Sequence, residues 1–157
     1  MNARELLIET TPSIAPARAL EALSPEQAEH REGSLHTVVE IVSHCAFWQD
    51  WFRSRCQGGS EPMPASASLG WTAPVPGSWP DVRRRFLDGL EALVALGERE
   101  DGTRVLVPPL EFPPLAGYTV GDVLVHVSNH NTHHLGQVIV LRQLMGAWPP
   151  PSGSWTW

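Results

Sequence analysis

The apolar residues of this chain recur at helical spacing in segments that Pro-, Gly- and Ser-rich stretches separate. The clearest case follows Ser78-Trp79-Pro80-Asp81, a capping signature in which Ser78 is the predicted N-cap. Apolar residues then recur every three or four positions, at Val82, Phe86, Leu90, Leu93 and Leu96. This spacing predicts an amphipathic helix that ends near Gly97.

Two further long helices are predicted on either side of this one. The stretch from about Ser34 to Cys56 contains neither Gly nor Pro, and Gly58-Gly59 follows it. The last helix is expected to begin after Thr119, with Asp122 at its third position, and to run to about Met145.

The two ends of the chain are less regular. The segment from Glu5 to Leu23 is interrupted by Pro12 and Pro16, so its helix is either kinked or split. Ser24-Pro25-Glu26-Gln27 predicts the capped start of a short helix or turn. The tail, Ala147 to Trp157, is predicted to be non-helical and to pack back on the helices through its tryptophans.

These elements predict an all-α fold, one four-helix bundle over residues 1–157, with long Pro/Gly-rich loops at 57–77 and 101–118. The first loop is long enough to shape the mouth of a pocket. The net charge of −6 argues against a nucleic-acid partner, and the Arg83-Arg84-Arg85 cluster suits a solvated helix face.

No apolar run approaches the roughly 18 residues that a membrane span needs, so no membrane association is expected. The N-terminus lacks the features of a signal peptide. Cys45 and Cys56 are too far apart along one helix to bond, which suits a reducing compartment. We therefore expect a cytoplasmic protein.

Four histidines lie close together in the last helix, at 126, 130, 133 and 134. At 100° per residue from Val123, His130 and His134 point to about −20° and +20°, the centre of the apolar face. His126 and His133 fall at its margin, near −60° and −80°. In the second helix, His44 shares an apolar stripe with Ile41, Thr37, Trp48 and Trp51.

Two imidazoles one turn apart can bind one metal ion, and His44 is the best candidate for a third ligand. A single inward histidine is more often a hydrogen-bonded core residue. Three of them without acidic partners favour a metal site, because each buried imidazole needs a partner for its acceptor nitrogen. Imidazole ligands accept zinc, nickel, copper and iron alike.

The pattern of His44 and His126-x3-His130-x2-His133-His134-x-Gly136-Gln137, followed by Leu141-Arg142, resembles the DinB/YfiT-like family of metal-binding four-helix bundles. The resemblance implies an up-down-down-up arrangement of helices. It also implies a metal site at His44, His130 and His134 for zinc or nickel, and a homodimer. Similar proteins include transferases and isomerases that use low-molecular-weight thiols.

We therefore predict a metal-dependent enzyme with a small-molecule substrate, a thiol S-transferase or a hydrolase. Glu40, His126, His133 and Gln137 are candidates for proton transfer or for orienting a ligand. The alternative is a non-catalytic bundle that binds a metal or a small ligand. An interaction module built on the tryptophans is less favoured, because tryptophan side chains more often pack in the hydrophobic core.

Overall fold

The computed structural model describes residues 2–9 and 13–154, and the fold of this part of the chain is all-helical. A π-helical turn, Glu5–Glu9, comes first. Five α-helices follow: α1 (Pro16–Ala19), α2 (Pro25–Glu29), α3 (Val38–Cys56), α4 (Trp79–Arg99) and α5 (Val120–Leu144). Two 3-10 turns, Ala67–Gly70 and Pro113–Leu115, lie in the long loops.

The predicted first helix is split in the described residues, into the turn Glu5–Glu9 and the short helix α1, which begins at Pro16. Pro12 lies outside the described residues. The stretch Val105 to Val107 contributes a single antiparallel bridge, from Val105 to Thr119.

Three helices begin at a capping box, in which a side-chain oxygen accepts from a backbone N–H that has no partner within the helix. Ser24 caps α2, Thr37 caps α3 and Thr119 caps α5. Helix α5 spans Val120–Leu144, as predicted. Helix α3 ends at Cys56 as predicted but begins at Val38 rather than about Ser34, because Thr37 supplies the cap.

The prediction of a side-chain cap at Ser78 is wrong. The backbone of Ser78 is already helical, with φ −81° and ψ 0°, so its hydroxyl is not placed to accept from the first turn. Helix α4 also continues past Gly97 to Arg99. Gly97 serves close packing instead, since an added Cβ would lie 2.7 Å from Leu124 Cδ1 and 2.8 Å from Ala3 Cβ.

The long helices share one apolar core. Helix α3 packs against both α4 and α5, and the turn Glu5–Glu9 packs against α4 and α5. Phe52, Phe86 and Val138, one from each long helix, are almost completely buried. Burial of this apolar surface is the main force that holds the helices together. The up-down-down-up order of helices stays a prediction.

Buried arginines tie the long loops and the tail to the helices. Arg55, at the end of α3, donates to the carbonyls of Glu61, Pro108 and Pro109, and so joins both long loops. Arg142 on α5 donates to the carbonyls of Ala19 and Ala147 and lies against the Trp148 ring.

The described part of the tail, up to residue 154, is non-helical and packs back as predicted. Ser152 donates to the Glu21 carboxylate, and Trp148 packs against the core. The tail residues Trp155 and Trp157 lie outside the described residues.

Cys45 and Cys56 are both buried and free, as the helix spacing predicts. Within residues 2–9 and 13–154, no helix combines the length and the hydropathy needed to cross a membrane. The cytoplasmic location stays a prediction.

Candidate metal centre

Helices α3 and α5 bring His44, His130 and His134 together. One ring nitrogen from each lies within 4.8 Å of the other two. The Nε2 atoms of His44 and His130 are 3.3 Å apart, and the ring centroids of His130 and His134 are 4.5 Å apart. His130 and His134 meet because residues one turn apart on a helix share a face. The helical directions calculated from the sequence predict this shared face.

A hydrogen bond to one ring nitrogen of His134 leaves its other nitrogen available. The Nδ1 of His134 lies 2.8 Å from Oε1 of Gln137, an acceptor, so Nδ1 carries the proton and Nε2 keeps its lone pair. The Nδ1 of His44 is buried next to Gly70, and it meets the distance and angle limits of a hydrogen bond with none of the described residues.

Burial keeps all three imidazoles neutral at neutral pH. Burial is the main reason why the pKa of His44 is lowered to about 4 and that of His130 to about 3, and neighbouring histidines contribute to both shifts. The pKa of His134 is also lowered, chiefly by burial. Neutral imidazole is the form that binds metals. Three such rings, with two Nε2 atoms facing each other, form a donor set that can hold a divalent metal ion.

Trp71 covers the histidine cluster from the first long loop. Its ring lies flat between two imidazoles, 4.0 Å from the centroid of His44 and 3.9 Å from that of His36. It also meets His134 edge-on at 5.5 Å. The 3-10 turn before it packs closely on α3. A Cβ on Gly70 would lie 3.0 Å from His44 Nδ1 and 2.8 Å from Trp48 Nε1.

A cavity of about 600 Å³ adjoins the cluster and is lined by all three histidines. The two long loops form much of its wall, as the length of the first loop suggests. From the helices come Trp48, Phe52 and His126, and from the loops come Met63, Trp71, Phe112 and Leu115, among others. Such a cavity falls in the size range of small-molecule sites.

The remaining candidate residues lie in different surroundings. His126 lines the cavity, its Nδ1 lies 3.1 Å from the Tyr118 hydroxyl, and burial lowers its pKa. Gln137 contacts His134, as described above. His133 is exposed, and its ring centroid lies 5.0 Å from that of His134.

Glu40 contacts residues outside the histidine cluster. Its carboxylate accepts from the Thr37 backbone in the capping box and pairs with Arg31 at 2.6 Å. These contacts lower its pKa although partial burial opposes them. Glu40 is absent from the cavity lining. Its proposed part in proton transfer therefore gains no support from these contacts.

Three neighbours of the histidine cluster were not predicted from the sequence: Trp71, Gly70 and Tyr118. Helical periodicity gives no information about them, because they lie in loops. The only available signal was the position of Trp71 in a loop long enough to be functional. His36 is exposed, yet its ring stacks on Trp71.

Fold and site together define a helical bundle with a three-histidine cluster that can hold a metal ion. The family model of the DinB superfamily matches residues 9–138. The chain belongs to the DinB superfamily. No significant match was found among proteins of curated function or among solved structures.

Proposed function

We propose that this protein is a metal-dependent enzyme that acts on a small molecule at the His44, His130 and His134 site. One observation carries the proposal: three neutral imidazoles converge at the wall of a cavity of about 600 Å³. Three protein ligands beside an accessible cavity are typical of catalytic metal sites, which keep one position for water or substrate.

Zinc and nickel are the metals that we favour. Imidazole nitrogen is a borderline ligand that suits both, whereas the described residues give this cluster no carboxylate of the kind that magnesium or calcium requires. The two cysteines are not competing ligands. Burial raises the pKa of Cys45, and raises that of Cys56 to about 11, so both thiols stay protonated.

The reaction that we propose is thiol S-transfer or hydrolysis. A divalent ion at this site would lower the pKa of a bound thiol or water molecule. Among the described residues, His126 is the titratable side chain that lines the cavity without belonging to the cluster, so it is our candidate for accepting the proton. Trp71 and Gln137 would hold the rings of His44 and His134 in place.

A non-catalytic binding protein is the second candidate. It is favoured by the cavity lining, which among the described residues contains no carboxylate that could act as acid or base. Enzyme and binding protein share the metal site and differ in turnover, so one experiment separates them.

The metal site is tested first, on protein purified without a histidine tag. We expect one equivalent of zinc or nickel in the wild type and a loss of at least tenfold in affinity in His134→Ala. His133→Ala is the matched control, because this exposed neighbour contributes no atom to the cluster. Equal metal binding in His134→Ala and the wild type would contradict the proposal.

Turnover is tested next, with zinc-loaded protein and two probe reactions. In the first, the sulfur of 2-mercaptoethanol replaces the chlorine of 1-chloro-2,4-dinitrobenzene, chloride leaves with the bonding pair, and the thiol proton passes to a base. In the second, water hydrolyses 4-nitrophenyl acetate. We expect at least one rate to exceed that of His130→Ala. If neither does, the binding protein is supported and the enzyme is contradicted.

We also propose that the protein forms the homodimer that the family resemblance implies. The outer face of α5 supports it: Val125, Val140 and Leu144 are exposed there. The sequence has no charged residue between Asp122 and Arg142. A second copy of the chain would cover this face. Light scattering should give twice the 17.3 kDa of one chain, and a mass of 17.3 kDa alone would contradict the dimer.

A further inference from the structure

The cavity beside the histidines has a polar wall where α5 lines it, with the histidine cluster and His126. Ser66 of the first long loop also lines it, and its hydroxyl is hydrogen-bonded to that of Ser68. The rest of the wall is formed mainly by carbon surface, with Trp48 and Phe52 from α3 and with Phe112 and Leu115 from the second long loop.

No Asp, Glu, Lys or Arg lines this cavity among the residues that the structure describes. Arg53 and Glu111, which are adjacent in sequence to lining residues, are not part of the lining. Arg55 donates to loop carbonyls, and Glu61 accepts from Ser54. A carboxylate, phosphate or ammonium group placed along the wall would therefore lose its water without gaining a partner, which is costly.

We propose that the ligand of this cavity is an uncharged, apolar organic molecule with at most one donor group, which is directed to the histidine end. The inference deepens the proposed function, since it names the substrate class for the same cavity. In a thiol transfer, the charged parts of a polar thiol would stay outside, and the apolar acceptor would occupy the wall.

The size of the cavity fits such a molecule. A volume of about 600 Å³ lies within the range that encloses most of a drug-sized ligand. Aromatic side chains there offer flat surfaces on which an aromatic ligand stacks favourably. Phe112 is 45% exposed, so it contributes to the cavity wall without belonging to the tightly packed core.

The test uses metal-free protein at pH 7.5 and two fluorescent probes that differ by one charge. N-phenyl-1-naphthylamine is neutral, and 8-anilinonaphthalene-1-sulfonate is the same molecule with a sulfonate. We expect the neutral probe to bind one per chain and at least tenfold more tightly than the sulfonate. Equal affinities, or tighter binding of the sulfonate, would overturn the inference.

Two variants locate the probe. Phe112→Asp places a carboxylate on the wall and should weaken binding of the neutral probe at least tenfold. Val107→Asp adds the same charge to the same loop at a residue that is 71% exposed and outside the cavity lining, so it should leave binding unchanged. An unaffected Phe112→Asp, or an equal loss in both variants, would place the probe elsewhere and overturn the inference.

Failure of this inference and failure of the proposed metal site are distinguishable. The probe experiment contains no metal, and Phe112→Asp should still bind zinc as the wild type does. Absence of zinc binding in the wild type would contradict the metal site while leaving the probe result intact.

Discussion

Trp71 lies flat on His44, with ring centroids 4.0 Å apart and ring planes inclined by 11°. This contact fixes a ring whose Nδ1 has no hydrogen-bond partner in the part of the chain that the structure describes. His134 differs, since Gln137 orients its ring through a hydrogen bond. Two cluster histidines are thus held by different means, one by stacking and one by a side-chain amide.

Trp71→Ala should weaken zinc binding roughly fivefold, because loss of a ring contact of about 1 kcal/mol leaves His44 free to rotate. Trp71→Phe should retain most of the affinity. Competition titration with a chromophoric chelator measures the change. His36→Ala is the control, since it removes the outer stacking partner of Trp71 and leaves His44 in contact. Unchanged affinity in Trp71→Ala would refute this role.

Gln137→Ala should reduce zinc affinity by about 10- to 100-fold, the usual effect of removing the partner that orients a metal-binding histidine. Gln137→Glu should restore much of it, because the carboxylate also accepts from Nδ1 of His134. The control is Gln143→Ala, an exposed glutamine on the same helix. The role fails if Gln137→Ala and Gln143→Ala bind zinc equally well.

Gly70→Ala should lower the free energy of unfolding by about 1–3 kcal/mol, because the new methyl group meets buried rings that cannot move aside easily. Its Cβ would lie 2.8 Å from Trp48 Nε1 and 3.0 Å from His44 Nδ1. Urea denaturation measures the change. Gly136→Ala is the matched control. It adds a methyl group in open space on α5 and should stabilise the helix by about 0.5–1 kcal/mol. Equal effects of the two substitutions would contradict the close approach.

Metal-free protein should lose stability on mild acidification. The pKa values of His44 and His130 in the folded protein, about 4 and about 3, lie below the ordinary value of 6.5. Between these limits the unfolded chain binds more protons than the folded one. The free energy of unfolding should therefore fall as pH drops from 6.5 towards 4, by at most about 1.4 kcal/mol per pH unit for each histidine.

Urea denaturation at several pH values measures this slope. The variant that combines His44→Gln with His130→Gln should show a flatter dependence, because the two groups that take up protons on unfolding are gone. A slope as steep as that of the wild type would show that other groups cause the acid sensitivity.

Much of the site follows from the sequence because helix periodicity fixes directions. His130 and His134 share the buried face of α5, and the apolar stripe around His44 places that residue inside as well. Capping residues also predict where α2 and α5 begin, because Ser24 and Thr119 each accept a hydrogen bond from the backbone N–H of the polar residue at the third helical position.

The loops do not follow from periodicity. Trp71 reaches His44 because Gly70 permits a close approach and Arg55 ties the loop to α3, and these contacts join residues far apart in sequence. The prediction of a cap at Ser78 is wrong for a related reason: the residue types at a helix start do not fix the backbone dihedral angles of the capping residue.

X-ray absorption at the zinc edge of protein loaded with one equivalent tests the central claim most directly. We expect three imidazole nitrogens at about 2.0 Å from the zinc ion, plus one further light atom from water or buffer. A shell containing sulfur at about 2.3 Å, or fewer than three imidazoles, would contradict convergence of His44, His130 and His134 on one ion.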